Sequence, residues 1–174
     1  MHGLAKKALA AAAVLSLASP AFAQDTIKMG ALATLEGAFT VLGEDSMRGV
    51  QMAIEEFNSS AGGKKIELIT GSSDASPDSA IRATRKLVEQ DGVQVLVGPL
   101  SGSEGIAIRD YSKTQPGVTF VNGISGAQET TYVTPSENFF RFNMDGAQWS
   151  AGLGEYVANT YDTLVRYDAM DTTV

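Results

Sequence analysis

The feature that most narrows the fold is a repeated change of hydrophobic rhythm along the chain. Four short stretches, Ile27–Ala33, "KKIELITGSS" from Lys64, "VQVLVG" from Val93 and "GVTFVNG" over Gly117–Gly123, read as strands, the third nearly continuous in apolar residues. A strand covered on both faces is apolar at consecutive positions, whereas a helix packed on one side repeats its apolar residues every three or four. Between these runs lie helical patterns, so strand and helix alternate. That order predicts an α/β fold: a parallel sheet with helices on both faces, three layers deep.

The helical stretches carry their own punctuation. "EDSMRGVQMAIEEFN", from Glu44, places Met47, Val50, Ile54 and Phe57 on one stripe, with Glu44 and Asp45 in the first turn and Gly62-Gly63 as the break. In "DASPDSAIRATRKLVEQDG", Ser76 is the expected N-cap, Pro77 the first helical residue and Asp78 a first-turn acid. Ala80, Ala83, Leu87 and Val88 form the stripe, and Gly92 closes the helix. Asp74 reads as turn chemistry rather than as a metal ligand. A third helix starts near Ser103, and a polar loop of about 15 residues follows the fourth strand. Beyond it, "FFRFNM" is expected to point Phe140, Phe142 and Met144 inward. A helix from Asp145 then shows Trp149, Leu153 and Tyr156 on one side, and a strand opens from Thr163.

The N-terminus is set aside from this pattern. Lys6 and Lys7, an apolar run from Ala8 to Leu17 and the ending Ala21-Phe22-Ala23 make the three-part pattern of a secretory leader over 1–23. The run is too short to span a bilayer. Its removal takes away two lysines and no acid, leaving 11 cations against 20 acids, a net charge of −9. An acidic exported chain without a basic cluster is a poor partner for nucleic acid. The single histidine, His2, lies in the leader, and there is no cysteine. Ser-His-Asp and Cys-His catalysis, and the usual His- or Cys-ligated zinc sites, are therefore excluded from the remainder. No cofactor is expected.

In a parallel sheet of this kind, ligands sit beyond the carboxyl ends of the strands. Three loops meet that description: Thr34–Gly43, Gly98–Ser103 and Asn122–Gly126. Neither a Walker loop nor a dinucleotide fingerprint fits them, and no Lys or Arg occurs from Gly92 to Ile108 or from Thr114 to Phe140. A polyanion would lack counter-charge there. Carboxylate-pair or Ser-Lys chemistry stays open, and Glu36 and Glu104 could form such a carboxylate pair if the first and third loops converge. Binding asks for less. Ser101, Gly102 and Ser103 at a helix start expose N–H groups and hydroxyls suited to one carboxylate. Ser125 and Gly126 offer a second hydroxyl and close backbone contact. Against this, serine is an ordinary helix cap.

"IKMGALATLEGAFTVLGEDSMRGVQMAIEEFN", "LVGPLSGSEGIAIRDYSK" and "GVTFVNGISGAQETT", with Leu35, Gly37, Gly43 and Gly49 at the family's spacing, resemble the branched-chain amino-acid class of periplasmic solute-binding proteins of ABC transporters. The resemblance covers about Asp25 to Tyr161. It implies a type I periplasmic binding fold, two α/β lobes closing on a ligand without chemistry, in an exported protein that delivers to a membrane permease. By it, the Ser101–Ser103 and Ile124–Gly126 loops hold the carboxylate and ammonium of an amino-acid-like ligand. Ser103, the Gly102 backbone and Ser125 lead, with the Ile124 carbonyl as ammonium acceptor. Residues 24–138 would form the first lobe, and 139–174 the crossover and start of the second. The family runs to about twice this length, and its V-x-x-D-Y pattern is departed from at Asp171-Thr172. A chain of this extent is expected to bind weakly and to expose apolar surface. The competing readings are a secreted carboxylate-dependent hydrolase and a ligand-sensing receptor domain of the same fold.

Overall fold

A computed structural model describes residues 26–161. The expected leader, the strand from Thr163 and the Asp171-Thr172 departure lie outside the described residues.

Six strands form one sheet in the order β2-β3-β1-β4-β5-β6. They are β1 (Thr26–Thr34), β2 (Ser60–Ala61), β3 (Lys64–Ser73), β4 (Val95–Val97), β5 (Thr119–Asn122) and β6 (Phe139–Arg141). All neighbours pair parallel except β2 with β3. That exception corrects the expected role of Gly62-Gly63. α1 (Thr40–Glu56) has already ended, and Asn58 and Ser59 follow with positive φ. Gly62 and Gly63, at φ 57° and 78°, form the two-residue turn of a β2–β3 hairpin, a conformation open to glycine at both positions.

α1 also begins earlier than expected, after a 3-10 turn at Gly37–Phe39, so Glu44 and Asp45 lie beyond its first turn. The second helix follows the sequence closely. α2 (Pro77–Arg85) starts after Ser76, whose hydroxyl accepts from the Ser79 N–H, and it continues as a wider turn over Lys86–Gln90. Asp74 accepts from the Ser76 N–H at 2.9 Å, the turn bond expected of it. Backbone bonding to Ser76 is second to the bond from the Ser76 hydroxyl in holding this carboxyl below its usual range. α3 (Gly102–Ser112) packs beside α2.

The main core lies between the sheet and α2 and α3. Leu32, Leu96, Phe120 and Phe139 from four strands meet Leu87 and Ile108 from this helical layer. Tyr111 meets Phe120 edge-on at 6.3 Å. Each such side chain removed from water contributes about 1.5–3 kcal/mol. A smaller cluster of Ala31, Ala33 and Met47 joins β1 to α1 on the other face.

The expected facing of β6 is reversed. Phe139 is buried, while Phe140, Phe142 and Met144 are exposed. Pairing of Phe120 with Phe139 sets the register, and a one-residue shift exchanges the faces. The last helical stretch is divided into α4 (Gly146–Trp149) and α5 (Leu153–Thr160) around Gly152 at φ 80°. Trp149, Leu153 and Tyr156 are all exposed. The sheet, mostly parallel with helices on both faces, is the α/β architecture the alternation predicts.

Candidate ligand-binding site at the strand ends

The carboxyl ends of β1, β4 and β5 open into three neighbouring loops. Gly98, at φ 126°, turns the chain at the end of β4 directly against the Leu32 carbonyl, where a side chain would collide. Three residues later Ser101 caps α3. Its hydroxyl accepts from the Glu104 N–H at 3.3 Å and donates to the Ala75 carbonyl at 3.0 Å. The Ser101 hydroxyl is thus taken up by capping and by a tie to the neighbouring loop.

Glu104 completes the cap. Its side chain is fully buried, accepting from the Ser101 N–H at 2.9 Å and the Ser73 hydroxyl at 2.6 Å. Glu36 accepts instead from the Ser72 hydroxyl at 2.6 Å in an exposed position. Ser72 and Ser73 are consecutive on β3, so their side chains leave the strand on opposite faces. The two carboxylates do not form the pair that a hydrolytic reading requires; one is a buried structural anchor.

With Ser101 and Glu104 paired, the Gly102 and Ser103 N–H groups remain without protein partners among the described residues. They stand at the positive end of an eleven-residue helix. The Ser103 side chain is exposed and lies 3.3 Å from the Ser101 hydroxyl.

The loop after β5 lies directly beside this helix start, with Gly102 packed near Ala127. Asn122 shapes it from within, accepting from the Ile124 N–H at 3.1 Å and donating to the Ser125 carbonyl at 2.7 Å. Ser125 is buried; its hydroxyl rests on α3 at Gly105 and has no hydrogen-bond partner among the described residues. It therefore does not face the same space as the exposed Ser103 side chain. Ile124 is 37% exposed, and the Trp149 ring covers Gly126. The two loops are brought together, then, while the Ser125 hydroxyl serves loop packing.

Sequence reading missed the far side of this loop. Arg109 on α3 donates to the Glu129 carbonyl at 2.5 Å and to Thr134, pinning the polar stretch that follows β5. Arg141 donates to the Thr131 hydroxyl at 2.7 Å and approaches Asp145 at 3.5 Å. The Gln148 N–H, against the effect of burial and with help from the Ala147 N–H and Arg141, holds the Asp145 carboxyl below its usual range. The spacing of Arg141 and Asp145, four residues apart, was the available signal.

Beside the loops, on the α1 side of the sheet, is an apolar cavity of about 290 Å³. Leu100 and Ile124 border it, with Ala33 from β1 and Met47 and Val50 from α1. The arrangement therefore combines free N–H donors, adjacent carbonyls and an apolar recess. Among the described residues, no group of three or more His, Cys, Asp or Glu side chains could hold a metal ion.

Comparison with known proteins adds to this geometry. The family model described as periplasmic binding protein matches residues 26–165. Leu/Ile/Val-binding protein homolog 7 of Brucella suis biovar 1 is 35% identical over 138 residues, which are 78% of this chain and 33% of the relative. The chain thus spans about a third of the length of the curated relatives it matches. A solute-binding protein of an ABC transporter from Rhodopseudomonas palustris BisB5, in complex with 3,4-dihydroxybenzoic acid, superimposes with a TM-score of 0.71 at 24% identity over 78% of this chain and 36% of its own. The branched-chain amino acid transporter substrate-binding protein LivJ of Streptococcus pneumoniae, in complex with isoleucine, gives 0.69 at 24% identity, over 78% and 39%.

Proposed function

Since the chain belongs to the periplasmic binding protein family, we propose that it is the ligand-capturing first lobe, with the start of the second, of an exported solute-binding component of an ABC importer. Residues 24–138 form that lobe in this reading, and 139–174 lead into the next. The leader over 1–23 directs export to the periplasm, and the partner is a membrane permease. The ligand is an amino acid or a small aromatic carboxylate, the two kinds bound by the similar proteins above.

One observation carries the reading: the unpartnered N–H groups of Gly102 and Ser103 stand at a helix start, next to the Ile124–Gly126 loop. The ligand carboxylate takes these donors and the Ser103 hydroxyl, where the helix dipole favours negative charge. Ser101 holds the donors in place through its cap. The Ile124 carbonyl accepts from an ammonium, while Gly126 makes room for the Trp149 ring and Ser125 supports the loop from beneath. The apolar body of the ligand lies toward Leu100 and the recess beside it. Nothing in this scheme activates a nucleophile, so the solute is retained and released unchanged.

A single lobe buries one side of a ligand, whereas tight sites bury 70–90% of its surface. The expected dissociation constant for the 174-residue chain is about 1 mM. Trp149, the only tryptophan, lies against Gly126 and reports on the loop. Titration with L-isoleucine should change its fluorescence saturably in that range, and 4-hydroxybenzoate can be followed by calorimetry. Absence of saturable binding for both compounds would overturn the proposal. A micromolar constant would show that the single lobe is sufficient.

A further inference from the structure

The side chain of Asn143 is surrounded by main-chain carbonyls. Its Nδ2 lies 2.8 Å from the Ile124 oxygen, 2.9 Å from that of Met144 and 3.3 Å from that of Ser125. Turning the amide over would press its oxygen against three other oxygens, so the donor end must face them. Two hydrogens cannot serve three acceptors fully. The Ser125 carbonyl already receives the Asn122 amide at 2.7 Å, which leaves Ile124 and Met144 as the pair that Asn143 bridges.

The two carbonyls belong to different parts of the chain. Ile124 is in the loop after β5, and Met144 is in the segment that follows β6. Three more contacts join the same two stretches. The Phe142 N–H donates to the Asn122 carbonyl and the Gly146 N–H to the Gly126 carbonyl, each at 2.9 Å, and the Gln128 amide reaches Asp145 at 3.4 Å. Asn143 is the contact that touches Ile124 itself.

A second observation concerns the other end of the amide. Asn143 Oδ1 is buried and has no partner among the described residues. Leaving an amide oxygen dry and unpaired is unfavourable, so a side chain whose only role was to fill space would be better replaced by an apolar one. The donor end is what this position uses.

We infer that Asn143 is a positioning residue that hooks the segment after β6 to the Ile124 carbonyl, coupling the loop after β5 to the path of the chain beyond the lobe. The consequence for binding rests on the proposed function. A ligand ammonium that takes the Ile124 carbonyl shares its oxygen with Asn143, so occupancy of the loop alters the hook and, through Met144, the segment that leads onward. The mechanical tie itself does not depend on any ligand.

The test therefore has a ligand-free arm and a ligand arm. Amide hydrogen exchange is measured by NMR on the 174-residue chain and on Asn143→Ala and Asn143→Asp, the latter keeping the shape while replacing the donor with a repelling oxygen. The expected result is faster exchange at Ile124, Phe142 and Gly146, about tenfold in Asn143→Ala and more in Asn143→Asp, with β1 amides at Gly30–Leu32 unchanged. Unchanged exchange at the three amides in both variants would overturn the coupling. So would equal acceleration in β1, which would mark a merely global effect.

In the second arm L-isoleucine is added. The parent chain should shift amide signals at Ile124 and also at Phe142 and Gly146, and in Asn143→Ala the shifts should stay within the Ile124–Gly126 loop. Identical spread in both proteins would overturn the coupling. If L-isoleucine does not bind the parent chain, the proposed function loses its amino-acid ligand and keeps only the aromatic carboxylate, while the exchange arm still decides the hook.

Discussion

The two faces of the sheet are made of similar residues and have different fates. Leu96 and Phe120 are completely buried against the helical layer of α2 and α3. Their neighbours Val97 and Val121, pointing to the other face, are only half-buried, and Phe140 is 47% exposed. On that face α1 covers β1 through Ala31, Ala33 and Met47, and no helix among the described residues shields β4 to β6 to the same degree. The difference teaches that an apolar strand records a capacity for burial on both sides, without recording which helix supplies it. Part of the expected exposure of apolar surface, Phe140, falls on this open half; another part, with Leu42 and Met52, lies on α1.

Substitution along β5 gives the largest contrast. Phe120→Ala should destabilise the chain by about 3–5 kcal/mol, because the site is closed and its neighbours cannot fill the void. Val121→Ala, one residue along, should cost about 1 kcal/mol or less. Urea denaturation measures both, and equal costs would mean that the two faces are equally covered. The two glutamates repeat the contrast in polar form. Glu104→Ala leaves the Ser73 hydroxyl and Ser101 N–H without their acceptor, at a cost of about 1–3 kcal/mol. Glu36→Ala, at an exposed position, should stay within about 0.5 kcal/mol. A reversed order would remove Glu104 from its place as the anchor of the α3 cap.

Smaller effects sharpen the picture. Phe140→Ser should reduce binding of a hydrophobic dye to the chain while shifting its stability by about 0.5 kcal/mol or less. Unchanged dye binding would place the exposed apolar patch elsewhere. Asp145 gives a pH dependence of known sign. Its carboxyl is held below the usual range when folded, so it favours the folded state above the ordinary aspartate value of about 4. That contribution fades as the pH falls through the depressed value. Asp145→Asn should therefore lose more stability at pH 7 than at pH 2, and a pH-independent loss would contradict the assignment.

Local chemistry was legible in the sequence where one short stretch contained the whole cause. Ser76, Pro77 and Asp78 start α2 as their types dictate, and the Gly98 turn and the Gly/Ser loops fall at the strand ends. The α/β architecture followed from the alternation itself. What escaped depended on distant partners. The facing of β6 is set by its pairing with β5, so a correct strand was given the wrong side. Gly62-Gly63 reads as a helix stop until β3 is known to fold back on β2. Ser125 and Ser103 look equivalent in their loops, yet α3 lies over one hydroxyl and leaves the other exposed. Nothing in sequence reveals that Asn143 reaches Ile124, 19 residues away.

The most direct measurement is an amide chemical-shift map of the 174-residue chain titrated with L-isoleucine, repeated on Gly102→Pro. Proline suits the first turn of a helix and removes one of the two free donors. The account predicts shifts centred on Gly102, Ser103 and Ile124, with affinity about tenfold weaker in the variant. Shifts that avoid these residues, or chemical conversion of the added isoleucine, would contradict it.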